Sequence, residues 1–339
     1  MSDAIRRPPS MVDVAKAAGV AHITVSRVLN APSTVRPETR RRVEQAVAEL
    51  GYRRNDLARV LRMGRSTTLG LIIAGWELYE LPRTLLGVES VARDNGYWIS
   101  MTSCQGPEPE RLMEAIGRLA EQQVAGIVII ADRPAIEAVL EDYVPPVPVS
   151  LVMYGDVANP RLASIELDQV LGARIATRHL LDLGHRRIAH IAGRPDVFDA
   201  QARIEGWRAE MGAVAESRPI LLEGDFTGAS GYLAVKELWA GDERPTAIFA
   251  GNDQMAMGAL AAFAELDVQV PRDVSIVGFD DIAGAQYLVP SLTTVRQDFQ
   301  ALGEQAIRVL LAEIGGAAPA HHMVSPVLVE RASTGSPAR

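Results

Sequence analysis

Three polar side chains stand where apolar runs of the sequence end, and their chemistry suits a ligand rich in hydroxyl groups. Asn252, Asp280 and Gln297 each follow a run that is predicted to be a β-strand. Ligands of parallel α/β sheets bind beyond the carboxyl ends of the strands. An amide or carboxylate there pairs well with a vicinal diol, which offers adjacent donors and acceptors. For each residue alone a helix cap or an interdomain ion pair is an equal alternative, whereas the three together predict a pocket.

Neighbouring carboxylates raise the alternative of acid–base catalysis. Asp280 and Asp281 are adjacent and Asp253 precedes them in the sequence, but no nucleophile motif, glycine-rich phosphate loop or G-x-S-x-G turn accompanies them. Cys104 is predicted to be an inert buried thiol, and the histidine pair at residues 321–322 has no further ligands at metal spacing. The sequence therefore predicts a binding protein that is not an enzyme and uses no metal or cofactor.

The distribution of charge divides the chain into unlike parts. The 339 residues are too many for one ordinary core, so two or three domains are expected. A content of 48% hydrophobic and 22% charged residues is that of a globular protein. The net charge of −8 divides into +7 for residues 1–65 and −15 for the remainder. A basic segment on an acidic body is typical of a nucleic-acid-binding module attached to another domain.

The basic segment has the pattern of three short helices. Ser10 is placed to cap a helix over residues 11–18, and Gly19 ends that helix. Residues 21–30 and 37–50 repeat apolar side chains at helical spacing and predict two further helices. The tight glycine turn between the first two helices predicts a helix-turn-helix.

The polar face of the second helix predicts contacts with double-stranded DNA. In a helix-turn-helix this helix enters the major groove. Arg27 can donate two hydrogen bonds to guanine, Ile23 can contact a thymine methyl group, and His22 can donate to a base or a phosphate. The alternative is the solvated face of a three-helix bundle. The predicted DNA contacts from this helix are His22, Ile23, Thr24, Ser26, Arg27 and Asn30.

Residues 55–64 form a candidate switch between the two parts. Asn55 is a capping residue at one end of this segment and Gly64 stands at the other. Isolated helices of fewer than about 12 residues are marginal in water, so this one is expected to form only when a partner stabilises it. An ordinary arginine-rich linker is the alternative.

The helix-turn-helix segment resembles a known signature. Residues 12–30 read VDVAKAAGVAHITVSRVLN, which resembles the N-terminal signature of the lactose/galactose repressor family of bacterial transcription factors. Ala21 departs from it, because the family usually has serine or threonine there, and alanine forgoes a cap or phosphate contact. The segments LGHRRIA, GNDQMAMGA, VGFDD and LTTVRQ, which follow in that order, extend the resemblance to about residues 10–334.

The resemblance implies a role for the segment that follows the helix-turn-helix. In that family the segment becomes helical on the operator, pairs with its copy in a dimer, and inserts a leucine into the minor groove. Leu61 matches that leucine, with Ala58 on the same face and Asn55 at the start of the segment. Such a wedge kinks DNA toward the major groove. These three residues complete the predicted DNA-binding set.

The resemblance also implies an effector pocket. Arg203, Asn252 and Asp280 match the hydroxyl-binding positions of sugar-responsive members, Gln297 matches an adjacent position, and Phe226 matches an aromatic wall. Purine-responsive members also have an arginine, an aromatic residue and an aspartate at matching positions. The Asn252 amide, which those members lack, is therefore the residue that favours a sugar.

Two further positions bear on ligand specificity. Met153 stands where sugar-responsive members have an aspartate, so the fine specificity is expected to differ. Trp76 follows the first predicted strand and is a candidate for stacking on a sugar ring. A tryptophan of the core or of a dimer interface is an equal alternative for Trp76.

From residue 67 onward, predicted strands alternate with predicted helices, which indicates parallel sheets with helices on both faces. The predicted fold class is α/β, with an N-terminal all-α helix-turn-helix domain and a hinge helix. The remaining residues are enough for two doubly wound parallel subdomains, and the resemblance implies that they form a periplasmic-binding-protein-like core. The resemblance implies boundaries at residues 1–54, 55–65, 66–165 with 297–325, and 166–296 with 326–339.

These features predict a sequence-specific transcriptional repressor of carbohydrate-utilisation genes. The repressor is expected to bind operator DNA as a homodimer and to be released by a small sugar, with a galactoside or a glucoside as candidates. The alternatives are a corepressor-dependent regulator of the purine type and a sugar-binding transport protein. The single cysteine, together with the lack of a signal segment or a long apolar span, predicts a cytoplasmic protein without membrane contact.

Overall fold

A computed structural model gives the structure of the chain. It describes residues 9–30, 32–52, 66–74, 81–104, 109–131, 134–153 and 159–337. The chain divides into two compact units, residues 1–65 and residues 66–339. The predicted DNA contacts Asn55, Ala58 and Leu61, and the predicted stacking residue Trp76, lie outside the described residues.

The first unit contains three helices, α1 (Met11–Ala18), α2 (His22–Asn30) and α3 (Pro37–Leu50). The predicted cap of α1 is present: the Ser10 hydroxyl accepts a hydrogen bond from the Asp13 backbone N–H, and the Asp13 carboxylate accepts one from the Ser10 N–H. Gly19 ends α1 in the left-handed region with φ of 62°, which glycine adopts without steric cost.

The small core of this unit is apolar and continuous. One or more buried residues from each helix meet there, with Val14, Val25 and Val43 fully buried. Leu50 is the last residue of α3 and is 37% exposed. Burial of Val25 and Val28 turns the opposite face of α2 outward.

The second unit contains two six-stranded sheets. The strands are β1 (Thr68–Ala74), β2 (Trp98–Cys104), β3 (Ile127–Ala131), β4 (Val149–Val152), β5 (Ala163–Leu167), β6 (Arg187–Ala192), β7 (Arg218–Glu223), β8 (Ala247–Ala250), β9 (Ser275–Asp280), β10 (Thr293–Arg296), β11 (His321–Val324) and β12 (Val327–Val329). The first sheet has the order β11-β5-β4-β3-β1-β2 and the second has β12-β10-β9-β8-β6-β7. The pairs are parallel except β10 with β12.

Helices cover both faces of each sheet, as the alternating pattern predicts. They are α4 (Leu81–Asp94), α5 (Pro109–Glu121), α6 (Pro134–Leu140), α7 (Gln169–Asp182), α8 (Phe198–Gly212), α9 (Gly228–Ala240), α10 (Asp253–Glu265) and α11 (Phe299–Ile314). The helices α4, α5, α6 and α11 pack on the first sheet and form the N-lobe with it. The helices α7, α8, α9 and α10 pack on the second sheet and form the C-lobe.

The chain crosses between the lobes three times, from β5 to α7, from β10 to α11 and from β11 to β12. Asp168 caps α7 by accepting a hydrogen bond from the Leu171 N–H at 2.8 Å. Asp298 caps α11 in the same way, through the Ala301 N–H at 2.9 Å. These caps begin each helix directly after its strand. The predicted boundary after residue 165 lies inside β5, and we propose Asp168 as the crossing instead.

Across the described part of the chain, every helix is too short or too polar to traverse a bilayer.

Candidate functional site

A cavity of about 130 Å³ lies between the two lobes. Its N-lobe side is largely apolar and includes Leu81, Ile130, Met153 and Phe299. Its C-lobe side carries five residues predicted from the sequence, which the fold brings together from different elements: Arg203, Phe226, Asn252, Asp280 and Gln297. Most of the polar groups therefore lie on the C-lobe side of the cavity, and Thr84 and Glu166 are polar residues on its N-lobe side.

Arg203 is buried in the C-lobe wall, and its guanidinium is held on several sides. It lies on α8, where its Nε donates to the Gln169 Oε1 at 2.9 Å and its Nη1 donates to the Gly251 carbonyl oxygen. Its Cζ lies over the Phe279 ring, 4.0 Å from the centroid, and 5.7 Å from the centroid of Phe226. These contacts fix the direction in which the remaining N–H groups point.

Asn252 has a structural role as well as a place in the cavity wall. Its Oδ1 accepts a hydrogen bond from the Met255 N–H at 2.8 Å and so caps α10. Its Nδ2 donates to the Phe226 carbonyl oxygen at 2.9 Å. The interpretation as a helix cap is thus correct for this residue. Asn252 also holds the backbone of Phe226, whose φ is 69°.

Phe226 is placed by a glycine on the neighbouring strand end. A Cβ built on Gly193 would lie 1.9 Å from the Phe226 Cζ. The ring therefore occupies the space that a side chain at residue 193 would need. This close approach fixes one wall of the cavity.

Asp280 and Gln297 are adjacent and buried. Gln297 Nε2 donates to the Asp280 Oδ1 at 2.7 Å. Asp280 ends β9 with φ of 105°, a backbone conformation that costs a non-glycine residue free energy and that clusters at functional sites. Arg203 Nη2 lies 3.7 Å from the Asp280 Oδ1, close enough for strong attraction but too far for a hydrogen bond.

Gln169 and Asp199 line the same cavity and were not predicted from the sequence. Gln169 is the first residue of α7 and donates to the Gln297 Oε1 at 2.9 Å and to the Asp199 Oδ2 at 3.2 Å. Asp199 lies one turn before Arg203, 3.7 Å from its Nη2. Desolvation raises the pKa of the Asp199 carboxyl, and the Arg203 charge opposes that rise. Recognition of β5 as a strand would have revealed Gln169 as a strand-end residue.

A second buried carboxyl lies next to Asn252. Asp253 accepts a hydrogen bond from the Thr294 hydroxyl at 2.6 Å and another from the Ile282 N–H at 2.8 Å. Burial, followed by the nearby Asp280 carboxylate, raises the pKa of Asp253 to about 8. Asp253 therefore carries a proton near neutral pH and serves the packing of β9 and β10 beside the cavity.

The first unit presents the predicted DNA-contacting face of α2. His22, Ile23 and Arg27 are exposed, and Ile23 is 62% exposed although its side chain is apolar. Thr24 and Ser26 are partly buried on the same helix. Asn30 ends α2, and its side chain lies outside the described residues. An exposed isoleucine between a histidine and an arginine fits a surface that contacts base edges.

Comparison with known proteins gives the family. The model described as "Bacterial regulatory proteins, lacI family" matches residues 10–55, and "Periplasmic binding protein-like domain" matches residues 177–334. The ribose operon repressor of Escherichia coli (strain K12) is 34% identical over 331 residues, covering 96% of this chain and 99% of the relative. The chain belongs to the LacI family.

Two further similarities extend over most of the chain of this LacI-family protein. The HTH-type transcriptional repressor PurR of Erwinia tasmaniensis is 33% identical over 328 residues, covering 95% of each chain. The crystal structure of the lac repressor dimer bound to operator and the anti-inducer ONPF superposes with a TM-score of 0.86 at 32% identity, covering 97% of this chain and 100% of that chain.

The LacI-family assignment identifies the class of protein to which the chain belongs. The chain is a DNA-binding transcriptional repressor with a ligand-binding core, and the prediction that it is not an enzyme is confirmed. The predicted fold class is also confirmed, because a helix-turn-helix head and a core of two mainly parallel sheets are present. The roles of individual site residues stay predictions.

Proposed function

We propose that this LacI-family repressor binds its operator as a homodimer and is released by a small neutral sugar. The observation that carries this proposal is the arrangement of Arg203 and Asp280, 3.7 Å apart in a buried wall. One ligand hydroxyl can accept a hydrogen bond from the guanidinium and donate one to the carboxylate. Buried polar groups of this kind discriminate strongly for a ligand that pairs with them.

The charge of the cavity favours a neutral ligand. Among the described residues that line it, Arg203 is the one cation, whereas Glu166, Asp199 and Asp280 are carboxyl residues. A phosphorylated or carboxylated ligand would meet this excess of negative charge in a poorly screened site. The apolar N-lobe side and the Phe226 ring instead suit the C–H face of a sugar ring or an apolar substituent on it.

The proposed mechanism has two states. Operator binding favours helical hinge segments at residues 55–64, which pair in the dimer, with Leu61 as the wedge in the minor groove. Effector binding between the lobes favours an arrangement that separates these segments. The two ligands therefore weaken one another's binding by the same coupling free energy.

Because the operator is chromosomal DNA, we propose that the protein acts in the cytoplasm. We also propose that residues 66–167 with 299–324 and residues 169–296 with 327–337 form the two subdomains.

A ligand screen followed by an operator-binding measurement tests this proposal. Thermal shift of the full chain with D-ribose, D-galactose, D-glucose and lactose is expected to give a rise for a sugar, because a ligand of the native state stabilises it by mass action. Ribose 5-phosphate and hypoxanthine are the charged and purine comparisons. Fluorescence anisotropy on a selected operator should then give weaker binding with that sugar. A response to hypoxanthine alone would contradict the proposal.

The second candidate is a corepressor-dependent regulator of the purine type. The Phe226 ring beside Arg203 favours it, since an aromatic wall and a guanidinium also suit a planar base. The same anisotropy measurement separates the two functions by sign. A corepressor tightens operator binding, whereas an inducer weakens it.

A further inference from the structure

Four buried side chains at the base of the cavity form one chain of hydrogen bonds. Arg203 Nε donates to the Gln169 Oε1 at 2.9 Å, Gln169 Nε2 donates to the Gln297 Oε1 at 2.9 Å, and Gln297 Nε2 donates to the Asp280 Oδ1 at 2.7 Å. None of the four residues is more than 6% exposed. The chain thus runs from a cation to an anion through two amides.

The charged groups at the two ends of this chain of hydrogen bonds set the orientation of both glutamine amides. A guanidinium only donates hydrogen bonds and a carboxylate only accepts them. If the Gln169 amide were reversed, its NH₂ group would face the Arg203 N–H and its oxygen would face the Gln297 oxygen. If the Gln297 amide were reversed, its oxygen would likewise face the Asp280 carboxylate, which only accepts hydrogen bonds. Each amide therefore has one orientation that satisfies both of its neighbours, and the pair is rigid.

This amide pair lies beside a gap between the two charged groups. The Arg203 Nη2 and the Asp280 Oδ1 are 3.7 Å apart, whereas a closed ion pair has a separation of about 2.7–2.9 Å. Arg203 is held back by Gln169 and by the Gly251 carbonyl oxygen, and Asp280 is held by Gln297. We propose that Gln169 and Gln297 are positioning residues that hold Arg203 and Asp280 apart, so that an effector hydroxyl can bind both.

The two glutamines also lie at chain crossings between the lobes. Gln169 begins α7 after the first crossing, and Gln297 follows β10 at the second. Their bond therefore joins two crossings that are 128 residues apart in the sequence. Both glutamines, Arg203 and Asp280 all lie on the C-lobe side of the cavity, so the spacing of Arg203 and Asp280 is set within that lobe. This role of the two glutamines deepens the proposed function and rests on it.

Substitution of each glutamine by methionine tests the inference. Gln169→Met and Gln297→Met keep the length of the side chain and remove its hydrogen bonds. Each is expected to weaken binding of the responding sugar by tenfold or more in titration calorimetry. The double variant is expected to lose little more than either single variant, because one break already interrupts the chain. Gln201→Met is the matched control, since the Gln201 amide donates to the Pro195 carbonyl oxygen outside this chain.

A second readout separates positioning from simple packing. In crystal structures of the unliganded variants, the Arg203 and Asp280 groups are expected to close to a direct ion pair of about 2.8 Å. A merely structural role of the glutamines would leave the gap between these two groups as wide as in the wild type. Gln297→Met tests the same chain should Gln169→Met fail to fold.

Two results would overturn the inference: wild-type sugar affinity in both single variants, or a gap that stays at 3.7 Å in their structures. If no sugar binds the wild-type protein, the proposed function fails. The distance between Arg203 and Asp280 in the variant structures still decides whether the amide pair is a spacer, because that distance is measured without a ligand.

Discussion

Arg203 lies over the ring of Phe279, with its Cζ 4.0 Å from the ring centroid, at the base of the cavity between the lobes. The residues are on different elements, α8 and the end of β9. A guanidinium is planar and weakly hydrated, so it keeps its in-plane hydrogen bonds while its face packs on an aromatic ring. This arrangement places a charged group in the core without loss of its partners.

Arg203→Lys is expected to abolish much of this arrangement. A lysine ammonium cannot reach the Gln169 oxygen and the Gly251 carbonyl oxygen with a planar fork, and it stacks poorly on Phe279. We expect at least a tenfold loss of sugar affinity and a loss of about 2 kcal/mol in the free energy of unfolding. Titration calorimetry measures the sugar affinity, and urea unfolding measures the free energy of unfolding. Arg208→Lys, an exposed change on the same helix, is the control, and equal effects of both changes would contradict the prediction.

Gly193→Ala is expected to displace the Phe226 ring from the cavity wall. The added Cβ would lie 1.9 Å from the Phe226 Cζ, so the ring must move. Sugar affinity should fall at least tenfold. Gly212→Ala, where no atom lies within 4 Å of the new Cβ, should leave affinity unchanged. Unchanged affinity in Gly193→Ala would remove Phe226 from the set of ligand contacts.

Asp253 is expected to make the core less stable as the pH rises. Because the pKa of Asp253 is raised from 3.8 to about 8, the folded chain keeps a proton that the unfolded chain releases. The free energy of unfolding therefore falls between about pH 4 and pH 8, by at most about 1.4 kcal/mol per pH unit. The Asp253→Asn side chain cannot ionise. The free energy of unfolding of this variant should therefore rise relative to that of the wild type as the pH increases across this window.

Urea unfolding followed by tryptophan fluorescence measures this difference in the full chain. All four tryptophans lie after residue 65, so the signal reports the second unit. Burial lowers the pKa of His190 to about 4, which gives the opposite slope between about pH 4 and 6.5. That contribution cancels when the variant is compared with the wild type. A difference that is constant with pH would disprove the assignment of the proton to Asp253.

Arg27→Ala is expected to reduce discrimination between operators more than Lys16→Ala does. Arg27 is exposed on α2, where its guanidinium can pair with guanine, whereas Lys16 lies in the last turn of α1. Loss of a base contact costs about 1–3 kcal/mol for the specific site. Anisotropy titrations on the operator and on random DNA measure the ratio. An equal loss on both kinds of DNA would make Arg27 a phosphate contact.

Leu61→Ala is expected to weaken operator binding and to reduce DNA bending, because alanine cannot wedge between base steps. A gel-phasing assay with operator fragments measures the bend. Val60→Ala, which removes a neighbouring apolar side chain of the same segment, should leave the bend angle as it is. Unchanged bending in Leu61→Ala would exclude Leu61 as the wedge.

The sequence by itself determined the local features of this protein. Ser10 and Asp13 cap α1, and Gly19 ends it, because each of these interactions joins residues only a few positions apart. Polar residues after apolar runs indicated Asn252, Asp280 and Gln297 in the same way. The composition of residues 1–65 located the basic segment, and the resemblance to a known family supplied Arg203 and Phe226.

Only the tertiary structure decided which of these side chains are partners. Gln169 was missed because its importance depends on β5 lying beside β4 and on the chain crossing to the C-lobe directly afterwards. Its bond to Gln297 joins residues 128 positions apart, a separation that no local pattern encodes. The double role of Asn252 as helix cap and as support for Phe226 likewise required the packing of two loops. Capping and periodicity depend on near neighbours, whereas the spacing of Arg203 and Asp280 depends on how α8, β9 and two of the crossings pack together.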